Sequence, residues 1–231
     1  MRRILFSQLT HEYVAALVKL EDHRIRADPW EDLARGDLSE TEQRIIDHVV
    51  AGLGRITPSL INEATVWSRA IYPLLSLAET DDLVAQSDVL LTARIGDVEL
   101  AGSADGAFGT PVSGALEAPF LIVVEAKRGV EGTNPVAQLH GEILAAACLN
   151  ARASGGAAQR LYGCFTVADN WTFVRADVSG IDTERPALTV VSSREISEKY
   201  EAATIVKILK SIVAERAAYL VQTVPAVNRA P

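Results

Sequence analysis

Cysteine is scarce in this chain: 231 residues contain two, Cys148 and Cys164. They show neither metal-finger spacing nor a disulfide framework, so the sequence reads as a reduced, cytoplasmic protein. Positive charge is also short. Lys and Arg total 22 against 30 Asp and Glu, a net charge of −8. That argues against an autonomous, tight nucleic-acid binder, because phosphate neutralisation needs clustered cations. A local basic cleft stays open, since only 5 of the 22 are lysines and the rest are arginines. Long apolar runs are missing too. The longest strongly apolar one, residues 120–124, is far below the ~20 residues that cross a bilayer. Residues 4–6, behind Arg2 and Arg3, are too short for the core of a secretion signal. There is no internal repeat and no low-complexity tract. A hydrophobic share of 48% excludes disorder as the main state. A chain of this length can bury roughly 70–75% of its unfolded surface, enough for one sizeable core.

The first third reads as helical. Ser39 with Glu42 is a capping box, and Ile45, Ile46, Val49, Val50 and Leu53 follow at helical spacing. Residues 12–20 suggest an earlier helix, and Asp28-Pro29 a loop. A further helix starts at Thr57-Pro58 or at Asn62, with Pro73 expected to kink it. The period then changes to two. Residues 89–95 and 98–108 flank Gly96-Asp97, a hairpin signal. A loop with Pro111, Gly114 and Pro119 precedes the apolar run at 120–124, whose continuous character suggests a central strand covered on both faces. Asn134-Pro135 opens a helix to about Ala153. Strands follow at 161–167, 171–175 and 187–191. Ser192 with Glu195 reads as a capping box for a long C-terminal helix, with a frayed tail after Pro225. The expected divisions are a helical extension over 1–56, an α/β core over 57–191, and a C-terminal helix and tail over 192–231.

The residues most suited to chemistry are Asp105, Glu125 and Lys127. Glu125-Ala126-Lys127 directly follows the apolar strand, and residues two apart on a strand share a face. Asp105 lies near the end of the preceding strand. If the two strands pair, both carboxylates reach one point and form a hard-oxygen site for Mg²⁺ or Mn²⁺. Such a site supports phosphodiester hydrolysis, with Lys127 orienting the attacking water or neutralising developing charge. An acid-x-Lys triplet is expected by chance about 0.6 times in this composition. The single instance gains weight from its place at the end of the most apolar strand, where unpaired charge is costly. The plain alternative is an internal Glu–Lys ion pair at a strand end. His11, His23, His48 and His140 show no metal spacing, and His140 reads as structural.

The wider pattern resembles the PD-(D/E)XK nuclease superfamily, with the nearest likeness to the nuclease domains of type I restriction subunits and RecB-like enzymes. Asn62-Glu63 and residues 69–75 look like that family's leading helix. Residues 102–106 (Gly-Ser-Ala-Asp-Gly) look like the strand with its metal-binding Asp. Residues 120–127, continuing into Arg128-Gly129, look like the strand ending in Glu-x-Lys. Residues 135–142 look like the following helix, with Gln138 at the glutamine position. The resemblance implies a restriction endonuclease-like core, a central mixed β-sheet flanked by helices, with extra N- and C-terminal helices. It implies that Asp105, Glu125 and the Ala126 carbonyl ligate the metal, and that Lys127 is catalytic. Glu63 would lie near the metal, and Gln138 would position the site. Ala104 stands where the family has Pro, and Glu142 where that helix often has Tyr.

Two functions follow as expectations. One is a Mg²⁺- or Mn²⁺-dependent endonuclease, DNA-directed, in prokaryotic restriction, defence or repair. The other is a catalytically silent nuclease-like fold serving as a binding or assembly subunit, which the net charge favours. A homodimer or a partner subunit fits either. The chain carries no P-loop, so a motor activity is excluded.

Overall fold

The computed structural model describes residues 2–25, 30–127 and 135–223. Asp28, Pro29, Arg128, Gly129, Asn134 and the tail after Pro225, all singled out above, lie outside them. In chain order the elements are β1 (Arg2–Leu5), a 3₁₀ turn (Phe6–Gln8), α1 (His11–Leu17), β2 (Lys19–Ile25), α2 (Trp30–Leu33) and α3 (Glu40–Leu53). A second 3₁₀ turn (Pro58–Leu60), α4 (Glu63–Val66), a π-helical turn (Trp67–Ile71) and α5 (Tyr72–Ser76) follow. The remainder is β3 (Val84–Ile95), β4 (Val98–Val112), β5 (Ala115–Lys127), α6 (Pro135–Ser154), β6 (Ala158–Val167), β7 (Asn170–Ser179), β8 (Ala187–Ser192), β9 (Ile196–Ser197) and α7 (Glu198–Thr223).

These strands form one sheet in the order β1-β4-β5-β6-β7-β8-β2, with β3 also on β4 and β9 also on β7. The β1–β4, β2–β8 and β5–β6 pairings are parallel and the others antiparallel, so the sheet is mixed. Helices cover both faces, which makes the chain α/β as expected. On one face α3, α4, α5 and α7 pack over Phe108, Val124, Cys164 and Phe173. On the other, α1 and α6 pack over Leu91, Leu100, Leu161 and Val174. Both cysteines are free and buried. Among the described residues no helix is long and apolar enough to cross a membrane.

Several local readings hold. The Ser39 hydroxyl accepts from Glu42 N–H (3.2 Å) while Ser39 N–H donates to the Glu42 carboxylate (2.6 Å). The leading helix starts at Asn62, whose side chain accepts from Thr65 N–H (2.8 Å), and not at Thr57. The disruption expected at Pro73 takes the form of the π-helical turn between α4 and α5. The preceding turn widens, Tyr72 N–H reaching back to the Trp67 carbonyl, which eases the clash a proline ring makes with the carbonyl four residues earlier.

Other expectations are corrected. The first 56 residues carry two strands besides helices, and the helix expected over 12–20 stops at Leu17 before β2. The stretch with Pro111, Gly114 and Pro119 is no loop. It is the β4–β5 hairpin, turning on Ser113 and Gly114, both at positive φ (51° and 86°). Ser192 and Glu195 do not cap a helix. The neighbouring Ser193 hydroxyl accepts from Phe173 N–H (2.9 Å), and residues 196–197 pair with β7 before α7 begins at Glu198.

Candidate functional site

The site forms where the sheet splits. β4 is paired along one edge by β3, and along the other by two strands in turn. β1 lies against residues 98–101 and β5 against residues 106–112, so in the recorded pairing residues 102–105 face neither. Asp105 sits at this gap. Extending the Gly106↔Val124 register by one step sets it opposite Glu125. In place of a backbone bond, the Ala126 N–H donates to the Asp105 carboxylate (2.7 Å). A residue in a strand sends its N–H and C=O to the same edge, so the Ala126 carbonyl opens on the same gap.

A second irregularity coincides with the first. On β3, Ala85 faces the α3/α7 core while Val89 and Leu91 face the α6 core. On β4, Ala104 faces the α6 core and Phe108 the other. Residues an even number apart in a regular strand share a face. The inversion falls at Asp88, which has φ of 54°, and at Asp105 across from it. Asp tolerates that left-handed conformation better than most residues. Next to Asp105, Gly106 leaves room for the Trp67 ring: a Cβ there would lie 2.2 Å from the ring's Cη2. The widened π turn that carries Trp67 is thus packed directly behind the gap.

Glu125 is fully buried on β5. It forms an ion pair with Lys127 through Oε1 and accepts from the Gln138 side-chain amide through Oε2 (2.8 Å). Gln138 gives its other amide hydrogen to Glu142 (3.1 Å), one helical turn further along α6 and also fully buried. Burial, reinforced by the negative charge of Asp105, pushes the Glu125 carboxyl up to about 7 despite the Lys127 ammonium beside it. Burial and the nearby Glu125 raise Glu142 well above the ordinary carboxylate range. Burial raises Asp105 as well, opposed by the Ala126 N–H and by Lys127. For Lys127, burial works against the charged form, but its carboxylate neighbours outweigh it and the ammonium is favoured.

The structure therefore brings Asp105, Glu125, Ala126, Lys127 and Gln138 together. Glu63 is exposed on the first turn of α4, behind its Asn62 cap, and its charge is felt at both Asp105 and Lys127 without a direct contact to either being recorded. Two acids join the set: Glu142, which the sequence marks as a carboxylate able to add to the site or repel a phosphate, and Asp88, which it does not mark. Glu142 stands at i+4 from Gln138, on the same side of the helix. Asp88 is reached only through the β3–β4 register. His140, buried on α6 and pushed down to about 4 by that burial, takes no part.

A divalent cation fits this donor set on three grounds. One buried carboxyl oxygen, Glu142 Oε2, lacks a hydrogen-bond donor, and Glu125 Oε1 meets the Lys127 ammonium. Among the described residues Lys127 is the cation beside Asp105 and Glu125, so with Glu142 the three acids would leave an excess of two negative charges when all are ionised. The oxygen donors are hard, as Mg²⁺ and Mn²⁺ require. Among the described residues no three His, Cys, Asp or Glu side chains stand as a preformed metal cluster. The available ligands are two carboxylates and a backbone carbonyl. No family model matches this chain, and no curated protein matches it.

Proposed function

We propose that this chain is a metal-dependent phosphodiesterase acting on nucleic acid, DNA-directed, of the PD-(D/E)XK type, serving prokaryotic restriction, defence or repair. The observation that carries the reading is the convergence at the sheet split: Asp105 fixed by Ala126 N–H, Glu125 fixed by Gln138, and Lys127 paired to Glu125, two residues away on the same strand. Strand order supports it as well, since the acid-bearing hairpin, the Glu-x-Lys strand and the glutamine helix follow in the sequence that the resemblance implies.

Asp105, Glu125 and the Ala126 carbonyl would hold Mg²⁺ or Mn²⁺. Bound there, the cation would acidify a coordinated water and stabilise charge on the phosphate. The chain's own groups do the rest. Ala126 N–H orients Asp105 and Gln138 orients Glu125, so neither carboxylate must be ordered when a ligand arrives. Lys127, whose side chain keeps 16% of its exposure, presents an ammonium at the boundary between the buried acids and solvent. From there it orients a water or balances charge on a phosphate oxygen.

The test is cleavage of plasmid DNA, single-stranded DNA and RNA with Mg²⁺, Mn²⁺ or chelator, beside Lys127→Ala. The expected result is cation-dependent cutting of DNA that falls at least 100-fold in the variant. Cutting that survives both chelator and the substitution would overturn the reading. A protein that cuts nothing but binds a partner tightly would be the silent assembly subunit instead.

A further inference from the structure

Beside the gap lies a cavity of about 430 Å³, lined by Ser7, Gln8, Leu9, Thr10, His11, Glu12, Val136, Ala137 and Gln138. We infer that it is a nucleobase subsite, holding the base of a nucleotide whose phosphate lies at the Asp105–Glu125 centre. The inference rests on the nuclease reading above for its substrate class, and on four observations of its own.

The first is position. Gln138 lines the cavity and also bonds Glu125 at 2.8 Å, so one side chain separates the two sites. A nucleotide joins its base to its phosphate through one sugar, so adjoining sites of this kind are what it would occupy. The second is construction. Leu9 packs so closely on α6 that a Cβ at Gly141 would lie 2.1 Å from it, which fixes residues 7–12 against the start of that helix. The third is chemistry. Leu9, Val136 and Ala137 supply apolar wall. Gln8 Oε1 is committed to Leu5 N–H (3.2 Å), which leaves its amide NH₂ to donate, while Thr10 Oγ1 accepts from Tyr13 N–H (3.2 Å) and its hydroxyl donates to the Glu12 carboxylate. Ser7, His11 and Glu12 add further donors and an acceptor. An apolar wall fringed by both kinds of partner suits the face and edge of a base. The fourth is charge. Among the described residues no Lys or Arg lines the cavity and Glu12 does, which disfavours a phosphate inside it.

The experiment is amide NMR of the full chain titrated with thymidine, with adenosine and with inorganic phosphate, without divalent metal. Ser7→Trp, an exposed position on the rim, fills the cavity, and Gln8→Ala is the milder second variant. Nucleosides are expected to shift the amides of residues 7–12 and 136–138, with the shifts lost in Ser7→Trp and weakened in Gln8→Ala. Where cleavage is measurable, Ser7→Trp is expected to raise KM about tenfold at unchanged kcat. Phosphate shifting those amides while nucleosides do not, or nucleoside shifts that persist in Ser7→Trp, would overturn the subsite. A protein that cuts DNA but shows no nucleoside shifts refutes the subsite and leaves the nuclease standing. Nucleoside shifts in a protein that cuts nothing refute the nuclease and leave base binding standing.

Discussion

At the scale of single residues, the site gathers more carboxyl groups than its described ammonium could balance if all were ionised. Glu142 is where this shows most plainly, since it is buried beside Glu125 and shares the Gln138 amide with it. Glu142→Gln keeps an acceptor for Gln138 and removes the charge. The expected outcome is opposed: stability at pH 8 rises by about 1–2 kcal/mol in urea unfolding, while divalent-cation affinity falls about tenfold. A loss of both would mark Glu142 as structural only. Lys127→Ala leaves Glu125 buried and unpaired. Breaking a buried pair typically costs roughly 3–5 kcal/mol, but Glu125 already sits near 7 and can take a proton, so a smaller loss is expected, again by urea unfolding. Asp105, Glu125 and Lys127 were legible in the sequence because residues two apart on a strand share a face and a neighbouring strand can bring a third group to it, whereas Gln138 came from the family resemblance alone. Asp88 was not, because nothing local announces the left-handed residue that inverts the face alternation.

At the scale of elements, the parts read correctly are those with local signals: the Gly96-Asp97 hairpin, the Ser39 cap, the apolar strand and α6. The edge strands β1 and β2 were not read, since their partners β4 and β8 lie far along the chain and parallel pairing leaves no turn to recognise. Two elements give tests. Asn150 on α6 bonds both Phe120 N–H and Phe120 C=O at 2.7 Å, standing in for a strand neighbour. Asn150→Ala strands two buried backbone groups and is expected to cost about 2–4 kcal/mol in urea unfolding. At the start of α7, Glu198 is fully buried, accepts from Trp171 Nε1 (2.8 Å), and is pushed up to about 7, chiefly by burial. The folded chain therefore holds this proton to higher pH than the unfolded chain, where Glu titrates near 4.5. The stabilisation is complete below that value and is lost as pH rises through about 7, by up to roughly 3 kcal/mol. Glu125 adds a slope of the same sign. Unfolding midpoints at pH 5 and pH 8 are expected to differ less in Glu198→Gln than in the parent chain, and an unchanged difference would clear Glu198 of the effect.

For the whole molecule, two cores on opposite faces of one sheet meet at the place where β1 and β5 succeed each other along β4. The net charge of −8 and the buried acids give a protein in which a cation should act on stability as well as on chemistry. A cation present at 100 times its dissociation constant stabilises by about 2.7 kcal/mol, which for a chain of this size raises Tm by roughly 5–10 °C, reversed by chelator. The most direct check is calorimetric titration of Mn²⁺ into the parent chain and into Asp105→Asn. One ion bound per chain, with affinity reduced at least tenfold in the variant, is the expected result. No binding to the parent chain, or equal binding to both, would contradict a divalent-cation centre at the split between β4 and β5.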